Sequence, residues 1–126
     1  AFTVLICLLV WGQHAVGATH EASIERDQYG VPHIYGETDA DAAFGLAYAQ
    51  AEDAWPIMEG SLPFFRGNAG LYEGQEGAQS DYLVKWLDLW GTLDRDYERV
   101  LSPEIRRYVE AFAEALMPLL EITRPK

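Results

Sequence analysis

The chain holds four serines, Ser23, Ser61, Ser80 and Ser102. None sits in the Gly-x-Ser-x-Gly elbow that presents an activated serine in α/β-hydrolases. Ser80 and Ser102 stand where each could cap a helix. His33 could act as a general base or metal ligand. No second histidine lies at ligand spacing, so His33 reads instead as a strand residue satisfied by hydrogen bonds. Gln50, Glu52 and Asp53 cluster in the otherwise apolar AYAQAEDAW. Glu52 and Asp53 are adjacent, so a helix turns them to different sides and they cannot face each other as a catalytic acid pair. A carboxylate turned inward there would need an arginine, and Arg66 is the nearest candidate in sequence. The stretch GNAGLYEG lacks the closing Gly-Lys-Ser/Thr of a phosphate loop. No catalytic residue and no metal ligand is therefore assigned, and the substrate-binding residues stay unknown.

The composition narrows the function classes. The chain has 126 residues, 49% of them hydrophobic, and a net charge of −11 from 20 acidic and 9 basic side chains. That supports a packed core. It argues against nucleic acid as a partner, because phosphate contacts need Lys and Arg. No charged residue occurs before Glu21, and Phe2 to Trp11 is an apolar run leading to Val16-Gly17-Ala18. An apolar stretch followed by small residues at −3 and −1 is the pattern of a secretory signal peptide. Residues 1–18 are expected to be such a leader, truncated at its start, with cleavage after Ala18. The run is short of the ~20 residues that span a bilayer, so no stable membrane anchor is expected. The product would be periplasmic or secreted. The sole cysteine, Cys7, lies in that leader, so residues 19–126 would have no thiol for a disulfide, a nucleophile or zinc.

The remaining pattern specifies the elements. Ala22 to Arg26 and Val31 to Tyr35 alternate as strands. Between them Asp27-Gln28-Tyr29-Gly30 has the Asp-first, Gly-fourth preference of a type I turn. Pro32 suits the start of a strand or an edge, where its missing N–H has no partner to lose. Thr38 with Asp41 forms a capping box. Phe44, Ala47, Tyr48, Ala51, Trp55 and Met58 then recur at helical spacing, and Gly45 and Ala49 would admit close approach of another backbone. From Gly60 to Gly77 glycines and Pro63 are expected to break the helix. Ser80 is expected to start a further helix with an apolar stripe at Leu83, Trp86, Leu87, Trp90 and Leu93. Ser102-Pro103-Glu104 starts the last, with Ile105, Tyr108, Val109, Phe112, Leu116 and Leu119 on one face. Both stripes are expected to be core.

In this order RDQYGVPHIYG, AAFGLAYAQAEDAWPIMEG, RGNAGLYEG, SDYLVKWL and LSPEIRRYVEAFAEAL resemble the start of the penicillin acylase family. That family includes penicillin, cephalosporin, acyl-homoserine-lactone and aculeacin-type acylases. The resemblance runs from about Glu25 to Met117. It implies an α+β fold, the N-terminal fragment of an αββα N-terminal-nucleophile hydrolase, with one or two short strands followed by three to four helices. It implies an exported zymogen in the chemistry of antibiotics and related acyl-amides, cut into two chains. The nucleophile would be a serine heading the second chain, with its own α-amine as base. It also implies that the acyl-pocket residues, and the acid that binds a structural calcium, lie beyond this stretch. No cofactor is then expected in residues 19–126. The partners would be the rest of the alpha chain, the beta chain and a small acyl-amide. Pro63, Ala115, Met117 and Pro118 depart from the family pattern, with Ala115 and Met117 where the family tends to have Gly and Asn. The leading expectation is a portion of an acylase, inactive alone. The alternative is a stand-alone exported helical binding module using exposed aromatics.

Overall fold

The computed structural model describes residues 13–16 and 19–123. Strands β1 (Gln13–Val16), β2 (Glu21–Arg26) and β3 (Pro32–Gly36) form one antiparallel sheet in the order β1-β2-β3. The expected leader lies outside the described residues except for Gln13–Val16, which pair with β2 from Gln13↔Ile24 to Val16↔Glu21. Five helices follow: α1 (Asp39–Phe65), α2 (Gly70–Glu73), α3 (Gln75–Trp86), α4 (Leu89–Val100) and α5 (Pro103–Thr123). The α+β class is as expected. The described residues add a third strand and the single-turn helix α2.

The hairpin between β2 and β3 closes as its sequence specifies. Gly30 N–H donates to the Asp27 carbonyl at 3.0 Å, and Asp27 Oδ1 accepts from the amides of Tyr29 at 2.8 Å and Val31 at 2.9 Å. Those amides, Val31 first, hold the Asp27 carboxyl below its ordinary pKa. Gly30 takes φ +83°, where an L side chain is strained. Pro32 opens β3 opposite Arg26 on an edge strand, so its missing donor breaks no interior ladder. Alternation turns Ala22, Ile24 and Ile34 toward α1, and Ser23, Glu25, His33 and Tyr35 to the other face.

Thr38 and Asp41 close the capping box of α1. The Asp41 amide donates to Thr38 Oγ1 at 3.2 Å, and the Thr38 amide donates to Asp41 Oδ2 at 3.0 Å. The helix kinks at Ala54 (φ −142°, ψ 23°). Pro56 thus falls in the first turn beyond the kink, where a missing N–H is tolerated. The expected break at Gly60 does not occur: α1 runs on to Phe65. Pro63 lies in the last turn and costs only its own bond. The end is a Schellman motif. Asn68 N–H reaches the Pro63 carbonyl at 2.8 Å, Gly67 N–H reaches Phe64 at 3.1 Å, and Gly67 has φ +65°.

Ser80 does not cap α3, which begins at Gln75 and runs through it. The neighbouring Asp81 acts in its stead on a different helix. Its two oxygens accept from the Ala69 amide at 2.7 Å and the Gly70 amide at 2.9 Å, at the start of α2. Ser102 does cap α5, accepting from the Ile105 amide at 3.3 Å, with Pro103 the first helical residue.

The core lies where α1 is held between the sheet and α5. Ile24, Ala40, Phe44, Ala47, Ala49, Ala111 and Ala115 are buried there. Ile34, Tyr48, Tyr108, Phe112 and Leu116 pack round them. Alanines on both helices let α1 and α5 approach closely, and Ala115 is part of that contact. The inner face of α5 is therefore Tyr108, Ala111, Phe112, Ala115 and Leu116, while Ile105 and Val109 are exposed. The stripe Leu83, Trp86, Leu87, Trp90 and Leu93 is not core: all five are exposed. Spacing established an apolar face there, and no described element covers it.

Candidate functional site

The residues with reactive groups are scattered by the fold rather than gathered. His33 is exposed on the sheet's outer face, with Nε2 3.7 Å from Asp27 Oδ2. The Ser61 hydroxyl donates to the Met58 carbonyl at 2.7 Å inside its own helix. Ser102 is occupied as a cap. Gln50 is exposed on α1. The stretch from Gly67 to Gly74 is spent on the Schellman turn and α2.

Glu52 and Asp53 do converge, but on Arg26 rather than on Arg66. The Arg26 guanidinium donates Nη1 to Asp53 Oδ2 at 3.1 Å, and its Nη2 lies 3.0 Å from Asp53 Oδ1 and 3.3 Å from Glu52 Oε2. A third bond goes to the Gly30 carbonyl at 3.0 Å. The adjacent carboxylates share this cation because α1 distorts at Ala54, directly after them. The fork ties the β2–β3 turn to the middle of α1. Asp53 foremost raises the Arg26 pKa. Arg66 instead stacks on Trp90, 4.9 Å from the ring centroid.

One polar cleft of about 610 Å³ opens where the N-terminus of α1 meets the start of α5. Thr19, His20, Thr38, Asp39, Asp41 and Tyr108 are among its walls. His20, which no spacing in the sequence singles out, places Nδ1 3.0 Å from Asp41 Oδ1 and packs its ring 6.0 Å from that of Phe44. Asp41 also accepts from the Thr38 hydroxyl at 2.6 Å. That hydroxyl, then His20, holds its carboxyl down to about 2. The Tyr108 hydroxyl lies 2.8 Å from Glu104 Oε1 and 3.2 Å from Asp39 Oδ2. Glu104 above all pushes this phenol up to about 12, so Tyr108 remains a proton donor. Thr19 donates its hydroxyl to Glu114 Oε2 at 2.7 Å and its amide to Oε1 at 3.2 Å.

Each of these side chains is committed to a partner within the protein. The cleft joins β2, α1 and α5 by hydrogen bonds. Its geometry is that of a junction which fixes the hairpin and α5 on the helix between them.

The penicillin amidase family profile matches residues 21–114, the span from β2 through most of α5. The chain belongs to the penicillin amidase family. Among the family's curated members it is 29% identical over 109 residues to penicillin acylase 2 proenzyme of Pseudomonas sp. (strain SE83), covering 86% of this chain and 14% of that protein. To an acyl-homoserine lactone acylase of Pseudomonas savastanoi pv. phaseolicola it is 29% identical over 99 residues, covering 72% and 13%. To the aculeacin-A acylase of Actinoplanes utahensis it is 29% identical over 106 residues, covering 81% and 14%. The chain thus spans about one-seventh of the curated penicillin amidase relatives it matches. A solved thermostable penicillin G acylase from Alcaligenes faecalis shares the fold with a TM-score of 0.67 at 24% identity, over 87% of this chain and 56% of that one. The hairpin and helices therefore share the fold of the matching part of that penicillin G acylase.

Proposed function

We propose that this chain is the N-terminal part of the first chain of an exported acylase precursor, and that the assembled protein hydrolyses an acyl-amide to a carboxylic acid and an amine. The observation that carries the reading is the family match over residues 21–114, in register with a hairpin and helices whose polar groups are spent on holding one another. The role of the stretch is scaffold. The nucleophilic serine and its α-amine would come from a second chain, with the oxyanion donors beside them, because acyl transfer by this route needs all three at one point. Alone, residues 19–126 are inactive. Any structural calcium would be held by residues outside this stretch. Residues 1–18 are a leader removed after Ala18, so β1 belongs to the precursor and the mature sheet is the β2–β3 hairpin, and the product works in the periplasm or outside the cell.

The test compares the product of the whole reading frame with residues 19–126 alone, both on a chromogenic acyl-anilide. Turnover by the whole protein and none by the short chain is expected. Thr19 is the one hydroxyl residue that leader removal would place at a free amine, so a Thr19→Ala control accompanies the short chain. Turnover by the short chain that disappears in this control overturns the reading and makes Thr19 the nucleophile. N-terminal sequencing of the exported product should begin at Thr19, and a retained apolar segment would mean an anchor.

A further inference from the structure

Thr19 is bound twice by one carboxylate that lies 95 positions away along the chain. Its hydroxyl donates to Glu114 Oε2 at 2.7 Å and its backbone N–H to Glu114 Oε1 at 3.2 Å. Glu114 is half-buried on α5, between the buried Ala111 and Ala115 in sequence. Both alanines belong to the core, so the carboxylate is carried by a fixed part of the helix. Removal of residues 1–18 would change this contact in two ways. β1 pairs with β2 from Gln13↔Ile24 to Val16↔Glu21, so loss of the leader strips β2 of one neighbour. Hydrolysis of the Ala18–Thr19 bond by water leaves the carboxylate on Ala18 and the amine on Thr19. That amine takes up a proton below its ordinary pKa of about 7.7–8.0. The nitrogen that donated as a neutral amide then carries a full positive charge beside a carboxylate, which strengthens the bond.

We propose that Glu114 is the binding site for the new N-terminus: it captures the α-ammonium of Thr19 once the leader is gone and anchors the start of β2 to α5 in place of β1. This rests on the leader reading above and goes beyond it. The surroundings favour a cation. Thr19 is a wall of the cleft between α1 and α5, which carries Glu37, Asp39, Asp41 and Glu104 against His20 and Arg107. Glu21 on β2 and Glu110 on α5 add two further acids nearby in sequence. Asp41 is engaged by Thr38 and His20, and Asp39 and Glu104 by Tyr108, whereas Glu114 is the carboxylate bonded to the Thr19 nitrogen. An amine held charged there cannot take the hydroxyl proton that an N-terminal nucleophile must lose. Thr19 is thus an anchor, in keeping with the inactivity proposed for residues 19–126.

The experiment uses the whole exported protein, as wild type and as Glu114→Gln, which keeps an acceptor and the side-chain length but removes the charge. Trace acetylation with acetic anhydride, which attacks only the unprotonated amine, is run across about pH 6–10 to bracket the ordinary α-amine value. Trypsin then releases THEASIER, Thr19 to Arg26, whose one amine is the α-amine of Thr19, and mass spectrometry reads its labelled fraction. The same titration in urea gives the unfolded value. The native α-amine should titrate at least about half a pH unit above its value in urea, and Glu114→Gln should remove most of that rise. A native value equal to that in urea overturns the proposal, as does a rise that persists undiminished in Glu114→Gln. Glu114→Asp, which keeps the charge but withdraws it by one methylene, is carried alongside in case Glu114→Gln does not fold. Its rise should be smaller than that of the wild type, and an equal rise overturns the proposal. The peptide also tests the leader reading separately. A retained leader, or a first residue other than Thr19, refutes that reading and removes the proposed amine with it. THEASIER without a rise refutes the capture alone.

Discussion

Gly45 tests whether α1 lies against the sheet as described. A Cβ there would stand 2.7 Å from Ala22 Cβ and 2.7 Å from Ile34 Cγ2. Carbon contacts are comfortable at about 3.5–4.0 Å, so the shortfall is roughly 1 Å on both sides. Neither neighbour can yield easily, since both lie in the β2–β3 ladder, Ala22 paired with Gly36 and Ile34 with Ile24. The helix would have to lift from the sheet and loosen the packing of Ile24 and Phe44. Overpacking of this kind costs about 1–3 kcal/mol. Replacing a helical glycine by alanine returns about 1 kcal/mol through backbone entropy and propensity. Gly60 isolates that return, because it lies in the same helix with nothing within 4 Å of the added carbon. Gly60→Ala should therefore stabilise by about 1 kcal/mol, and Gly45→Ala should fall about 1–3 kcal/mol below it. Urea unfolding followed by far-ultraviolet circular dichroism measures both. Equal shifts of the two midpoints in the stabilising direction would refute the close approach of α1 to the sheet.

Further tests follow from the polar contacts. Arg26→Ala should cost about 1 kcal/mol and Arg26→Lys should recover little of it, because the two-oxygen grip on Asp53 needs a planar fork; urea unfolding at low and high salt reads the loss and its screening. Asp81→Ala should cost about 1–2 kcal/mol by freeing two amides at the start of α2, with amide hydrogen exchange accelerating at Ala69 and Gly70 ahead of the rest of the chain. The Asp41 carboxyl is lowered from 3.8 to about 2, so its stabilisation is complete above pH 3.8 and fades as pH falls toward 2. Asp41→Asn should flatten the stability profile across that interval, and an unchanged slope would count against the Thr38–Asp41–His20 cluster. In an alkaline absorbance titration one phenol should lag toward pH 12, and Tyr108→Phe should remove that component.

Local chemistry made much of the fold legible. Asp27 and Gly30 specify the turn, Thr38 and Asp41 the start of α1, and Ser102-Pro103 the start of α5. Each is a contact between residues within four positions of one another, so the sequence contains the whole interaction. The expected helix stop at Gly60 does not occur, for a related reason. Glycine and proline weaken a helix through propensities of about 1 and 3 kcal/mol, yet Pro56 stands just past the kink at Ala54 and Pro63 stands in the last turn, positions where each loses least. Ser80 failed as a cap because Asp81 was the residue in use, and it serves a helix that begins eleven residues earlier at Gly70.

The sequence by itself determined the class, the order of the motifs, the hairpin and the amphipathic faces, because periodicity and capping are set by neighbours along the chain. Tertiary structure alone decided which partners and which faces those residues would use. Arg26 reaches Asp53 across 27 positions, Thr19 reaches Glu114 across 95, and Tyr108 reaches Asp39 across 69. No spacing rule links such pairs, since their proximity comes from laying α5 and the sheet on opposite sides of α1. The same packing buries the alanines of α5 and leaves the apolar stripe of Leu83, Trp86, Leu87, Trp90 and Leu93 exposed. Hydrophobic spacing fixes that a face is apolar, whereas burial requires a surface opposite it, and that surface is a property of the assembled molecule.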